Sequence, residues 1–188
     1  MVSPRRRPTG FTLIELVITI AIIVMLLLVG MPFTSHWVDG TRQMRARSNL
    51  LEATGQARAL AMRNPYGHPA VKAGSPYGIV RLGYAAGDAG NVLAVFRRAV
   101  DVDGADGDWE TTPVWIGNIA NPVGLQLKSV GSTDYAGVDE FKADPNDFSC
   151  VVFDSRGRQQ TESGCASSLR QRVAVGVRNQ EPVYVDLL

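Results

Sequence analysis

A single carboxylate, Glu15, interrupts an otherwise apolar stretch that opens at Phe11 and closes at Phe33. An ionised carboxylate in a hydrocarbon medium costs a few kcal/mol, so it calls for a positive partner. No basic residue follows it inside the run. The nearest positive charges, Arg5, Arg6 and Arg7, lie eight or more residues upstream, out of reach along a helix. A free amine would serve if the chain were cut just before Phe11. The chemistry to which these residues point is charge pairing at the head of an apolar helix.

The remaining reactive side chains assemble no catalytic set. His36 falls at the end of the apolar run and His68 lies beside two prolines, places where a lone histidine is read as structural. No glycine-rich loop leads into a lysine, so the chain lacks a nucleotide-binding motif and is not read as an enzyme or as an assembly motor. "DVDGADGDWE" puts Asp101, Asp103, Asp106 and Asp108 close together. Oxygen-rich loops with glycine hold calcium, but this spacing does not fit the twelve-residue loop and lacks the closing glutamate. A solvated turn is the reading adopted, with no metal and no cofactor. Cys150 and Cys165 are the two sulfurs. Both fall beyond the apolar run, and an even pair in an oxidising compartment predicts a disulfide. Their spacing suits no four-ligand zinc site.

The elements that must position these residues follow from patterning. The chain has 188 residues and a net charge of +1, so no bulk basic excess points to nucleic acid. From Leu16 to Met31 sixteen residues carry no charge. The whole stretch, taken as a helix, reaches roughly 34 Å, enough to cross a bilayer core. It is too long for the apolar region of a secretory signal, and no small-x-small site follows it. The basic flank places the N-terminus in the cytoplasm and everything after Phe33 across the membrane.

Phe11 to about Met62 therefore reads as one long helix in two halves. The first is apolar all round. The second is amphipathic: Trp37, Met44 and Leu51 recur at seven, and Leu50, Ala53, Ala57 and Leu60 at three to four. Pro32 removes a backbone hydrogen bond and predicts a kink, with Gly30 and Gly40 as further weak points. Pro65 in "RNPYG" ends the helix and biases Asn64 away from helical geometry.

From about Val71 short β-rich runs alternate with turn residues. Strands are expected at 77–84, 91–100, 111–119, 123–130, 148–155, 170–178 and 182–188, with a hairpin turn at 177–182. The fold class is α+β: a long N-terminal helix, apolar transmembrane half and amphipathic outer half, packed on an antiparallel β-rich head. The expected divisions are a leader at 1–10, a transmembrane or filament-core helix at 11–33, an amphipathic helix at 34–65 and a periplasmic head at 66–188.

"TGFTLIEL" behind a basic leader resembles the class III signal of type IV prepilins and of type II secretion pseudopilins. The resemblance implies that a prepilin peptidase cuts between Gly10 and Phe11 and methylates the new amino terminus. It implies that Glu15 pairs with the amino terminus of a neighbouring subunit and that Pro32 is the kinking proline. "LLEATGQARALAMRN" and "VVFDSRGR" further resemble the GspH/FimU/FimT group of minor pilins and pseudopilins. The implied function is type IV pilus biogenesis, priming or capping a filament, with other minor and major pilins, prepilin peptidase and the inner membrane as partners. A type II secretion pseudopilin is one alternative, and a DNA-binding minor pilin of a competence pilus is another. Some relatives capture DNA through Gly-Arg-x-Arg, whereas Gly157-Arg158-Gln159-Gln160 lacks the final arginine. Arg156, Arg158, Arg170 and Arg172 would have to form the phosphate-binding patch. Without Arg5, Arg6 and Arg7 the nineteen basic residues fall to sixteen, against eighteen acidic, so DNA is not favoured.

Overall fold

A computed structural model describes residues 11–69, 71–72, 75–85, 91–100, 106–129, 132–165, 171–177 and 180–187, without the side chains of 30–34, 71, 75–76, 106 and 129. The helix α1 spans Leu13–Arg63. Two compact units divide the chain at Val38/Asp39, and each is described by itself.

In the first unit the sequence sets the start of the helix. The Thr12 hydroxyl accepts the Glu15 amide at 3.3 Å, and the Thr12 carbonyl accepts the Leu16 amide at 3.2 Å. Thr12-x-x-Glu15 has the form of a capping box, and Glu15 lies in the first turn, where the helix dipole favours a negative charge. Beyond it the helix is apolar on every face and exposed on every face, from Leu13 at 82% to Val29 at 59%. Isoleucine and valine dominate here, and β-branched residues form helices poorly unless packing holds them. Among the described residues no helix is long and apolar enough to cross a membrane. Side chains are described to Val29 and again from Ser35, whereas the apolar run in the sequence extends to Phe33. The Pro32 side chain, with its expected kink, lies outside the described residues.

In the second unit α1 turns one narrow stripe inward. Gln43, Ala46, Leu50, Ala53, Thr54, Ala57 and Ala61 are buried. Four alanines in that stripe let a backbone approach a sheet closely. Met44 and Leu51, expected on an apolar face, are exposed at 60% and 48%. The heptad is therefore not the buried stripe, whereas Leu50, Ala53 and Ala57, expected at three to four, are buried, and Leu60 packs against the core. Met44 and Leu51 lie away from the alanine seam, whose period is 3.6 rather than 3.5. Gln43 fastens the stripe, its Nε2 donating to Val175 O at 2.9 Å and to Glu181 O at 2.7 Å. The helix stops where expected. Asn64 adopts φ 42°, and its amide still reaches Leu60 O at 3.2 Å and Ala61 O at 3.1 Å.

The strands are β1 (Val71–Lys72), β2 (Ser75–Pro76), β3 (Gly78–Ala85), β4 (Asn91–Val100), β5 (Asp106–Trp109), β6 (Trp115–Ile119), β7 (Gly124–Ser129), β8 (Cys150–Asp154), β9 (Gln159–Gln160), β10 (Gln171–Val177) and β11 (Gln180–Leu187), with a helix α2 at Val138–Ala143 before β8. All pairings are antiparallel, but the single expected sheet is two, besides the small β1–β2 pair. One has the order β5-β4-β3-β8-β9 with β6 also on β4, and the other the order β11-β10-β7. The division follows from what covers β10. Val173, Val175 and Val177 face the main core with Leu50, Leu82 and Phe153. Ala174 on the other face packs with Phe141 of α2 and Tyr135. Gly176 makes room there, since a Cβ would stand 2.3 Å from the Phe141 ring.

Three local expectations are corrected. The strand expected at 111–119 begins only at Trp115, because 111–114 bend around Pro113. The acidic loop ends in a strand, β5, rather than in a turn; residues 101–105 lie outside the described residues. Helix α2 was not foreseen, being six residues long and dependent on packing. The β10–β11 hairpin is present, with Val177 paired to Gln180.

Candidate functional site

The processing end is built by Thr12 and the first turn of α1. Phe11 is 80% exposed, and Gly10 lies outside the described residues. Glu15 is exposed, its amide taken by the threonine while its carboxylate faces outward. Around it Leu13, Ile14, Leu16 and Ile18 are all more than half exposed. Each such side chain would gain about 1.5–3 kcal/mol on burial, so the segment is built to be covered. A charge is thereby held at the entry to a surface that other molecules must bury.

A family model for the prokaryotic N-terminal methylation motif matches residues 5–31. The chain carries a prepilin-type signal. Its N-terminal region is thus type IV pilin-like, and the motif implies processing by prepilin peptidase and assembly with other pilins. No curated protein and no solved structure matches the chain.

The structure joins Cys150 and Cys165 in a disulfide, with their Cα atoms 4.8 Å apart. The bridge ties the first residue of β8 to the loop after β9.

Of the four arginines weighed for phosphate binding, the three described ones, Arg156, Arg158 and Arg172, are not brought together as one patch. Arg156 and Arg158 are exposed on the tight turn between β8 and β9. Asp154 builds that turn, its Oδ1 accepting both the Arg156 and the Arg158 amides at 2.9 Å. Gly157 takes φ 72° there, and a Cβ would meet Met62 Cγ of α1 at 3.2 Å, so glycine fits both the backbone and the space. Arg172 lies on β10, in the other sheet. It pairs with Asp134 at 2.6 Å and Asp186 at 3.2 Å, and it lies over the Tyr184 ring. Its charge is already answered. Arg170 lies outside the described residues.

His68 is buried and its Nε2 sits 3.1 Å from Arg98 O, between the rings of Tyr66 and Tyr77. His36 belongs to α1 in the first unit. Asp101 and Asp103 lie outside the described residues, and Asp108 is exposed on β5. Among the described residues no group of three or more His, Cys, Asp or Glu could hold a metal ion.

One arrangement was missed by sequence reasoning. Arginines and aromatic rings interleave on the six-stranded sheet. Arg98 lies over Tyr77 at 4.9 Å and Trp109 at 4.3 Å; Arg81 lies over Trp109 at 5.0 Å and Phe96 at 5.2 Å. Burial pushes the Tyr77 phenol above its ordinary pKa, against the lowering effect of Arg98. The signal in the sequence was the arginine set among apolar residues in "YGIVRLGY" and in "NVLAVFRRAV", charged residues on strands that otherwise read as core.

Proposed function

We propose that this protein is a minor pilin or pseudopilin of a type IV pilus-type machine. Prepilin peptidase would cut it after Gly10 and methylate Phe11. The apolar part of α1 would cross the inner membrane once, with the N-terminus cytoplasmic and the β-rich head periplasmic, and would then enter the helical core of a filament. Pro32 would loosen the helix for that entry, and Glu15 would pair with the amino terminus of a neighbouring subunit. The role is assembly, priming or capping the filament beside other pilins, and no catalysis is assigned.

The observation that carries this reading is the methylation motif at residues 5–31. Glu15 adds to it as an exposed charge at the start of a helix whose apolar side chains are exposed on all sides. A helix of that kind has no use in water, and a lone carboxylate has no use in lipid unless an amine meets it.

The test is intact mass spectrometry of the protein from membranes of a host with prepilin peptidase. The mature chain should begin at Phe11 with one added methyl. A chain retaining Arg5–Arg7, or one lacking the apolar helix, refutes the reading. Co-isolation with sheared surface pili, rather than with a secretion pseudopilus, decides which machine it serves.

A further inference from the structure

On the outer face of the six-stranded sheet, away from α1, lies an open trough of about 500 Å³. Small residues make it. Gly83 of β3 is paired with Ala94 of β4, and together they leave the sheet bare between Phe96 and Ile116. Ile116, which faces this side from β6, is 57% exposed. Cys150 closes another side.

The lining holds one formal charge, that of Arg81. Its neighbours on the array have carboxylates: Arg97 reaches Glu110 at 3.0 Å and Arg98 reaches Glu162 at 2.5 Å. Arg81 makes no hydrogen bond and no ion pair among the described residues, and its Nε is buried without an acceptor. The rings of Phe96 and Trp109 hold the guanidinium in place. A guanidinium flanked by rings is poorly hydrated and already ordered, so little freedom is lost when an anion joins it. With Nε buried, the terminal nitrogens remain for a two-point contact with a planar carboxylate. An apolar cleft of a few hundred Å³ with one fixed polar group is how small-molecule sites are usually made.

We propose that this trough binds a small amphipathic monocarboxylate, its carboxylate on Arg81 and its aryl or short alkyl body over Gly83 and Ala94 against Phe96 and Ile116. Charge complementarity selects the anion: among the described residues the trough offers one unanswered cation and no carboxylate. Its apolar floor selects the body. This site goes beyond the assembly role and does not depend on it.

The full-length chain, held in lipid nanodiscs and labelled with 5-fluorotryptophan, is titrated with 4-phenylbutyrate. The Trp109 fluorine signal, assigned through Trp109→Phe, should shift and saturate. Arg81→Gln should weaken binding roughly tenfold or more, the worth of a charged hydrogen bond. Neutral 4-phenylbutyramide should be weaker by a similar factor. Ala94→Leu keeps the charge but fills the floor, and it should abolish binding while the fluorine spectrum of the free protein stays dispersed. That variant covers the case in which Arg81→Gln fails to fold. A linear response without saturation, equal binding of acid and amide, or unchanged binding by both variants would each overturn the proposal. So would binding of a Gly-Ser-Gly-Phe peptide with no binding of 4-phenylbutyrate, since the site would then read a protein terminus. None of these outcomes bears on the mass of the processed N-terminus, which tests the assembly role separately.

Discussion

Leu50 and Leu51 are neighbours in the sequence with opposite fates, and this makes them a sharp test of how α1 is seated. Leu50 has no exposed surface and lies in the main core with Leu82, Val95 and Phe153. Leu51 is 48% exposed. Cutting Leu50 to alanine removes a fully buried side chain and leaves a cavity between helix and sheets, a loss of about 2–5 kcal/mol. Cutting Leu51 should change head stability by no more than about 0.5 kcal/mol. With a urea slope of about 2 kcal/mol/M and a loss near 3 kcal/mol, Leu50→Ala should lower the unfolding midpoint by roughly 1.5 M. Leu51→Ala should leave it in place. The assay is urea unfolding of a head fragment beginning at Asp39, followed by circular dichroism. If Leu51→Ala cost as much as Leu50→Ala, the buried stripe would be that of Met44 and Leu51. The alanine seam assigned to α1 would then be wrong.

Other expectations are equally direct. Thiol labelling of the native protein should find no free sulfur, and reduction should destabilise the head by around 3 kcal/mol, the chain-entropy worth of closing a fifteen-residue loop; two reactive thiols without reductant would contradict the bridge. Duplex DNA should bind the head no more tightly than roughly 10⁻⁴–10⁻⁶ M at physiological salt, and sub-micromolar binding lost on Arg156→Ala with Arg158→Ala would reverse that. Burial, then the charge of Asp147, pushes the Tyr84 phenol up to about 12, and burial also raises Tyr77 and Tyr184. These phenols stay protonated in the fold at a pH where the unfolded chain has released its protons. Their contribution is therefore whole below about pH 10 and is lost as pH rises toward 12. Urea midpoints at pH 8, 10 and 11.5 should fall in that order, and Tyr84→Phe should flatten the decline. Glu15→Val should leave processing and membrane residence intact but lower incorporation into sheared filaments; equal incorporation would remove charge pairing as its role.

Much of the architecture was legible because it is written in local rules. The helix end at Asn64-Pro65, the strands around Val80, Val95, Val152 and Val175, and the hairpin before Pro182 all follow from turn chemistry and alternation. On α1 the stripe Leu50, Ala53 and Ala57 was legible at three to four and is buried; what failed was the heptad beside it. Large residues at seven draw the eye, yet a helix lying on a sheet needs small ones. Ala46 and Ala61 carry little hydrophobic signal individually, and only the sheet extends the seam to them. Division into two sheets was hidden for a related reason. The β10 run "RVAVGV" is buried on both faces, and a run of that kind does not say what covers each face. Its second cover is Phe141 on a helix too short to show a period.

Legibility at the site was uneven in the same way. Glu15 stood out because it breaks a pattern, and the pattern is one-dimensional. Arg81 did not stand out, because its meaning lies in the rings of Phe96 and Trp109 from other strands and in the lack of an acid paired with it among the described residues. The structure also adds a second reason for Glu15. A negative residue in the first turn suits the helix dipole, so part of its presence is local. The dipole accounts for a carboxylate at the start of a helix in water. It does not account for one set among exposed Leu13, Ile14, Leu16 and Ile18, which must be covered by lipid or by other helices. Burying that neighbourhood strips water from the carboxylate, and the dipole alone cannot replace it. A cation brought by the covering molecule can. The arginines upstream are cut away in the assembly reading, and the cation that maturation creates is the amino terminus of Phe11. An amine four residues before each Glu15, on every subunit, gives each carboxylate a partner as soon as a second helix lies alongside.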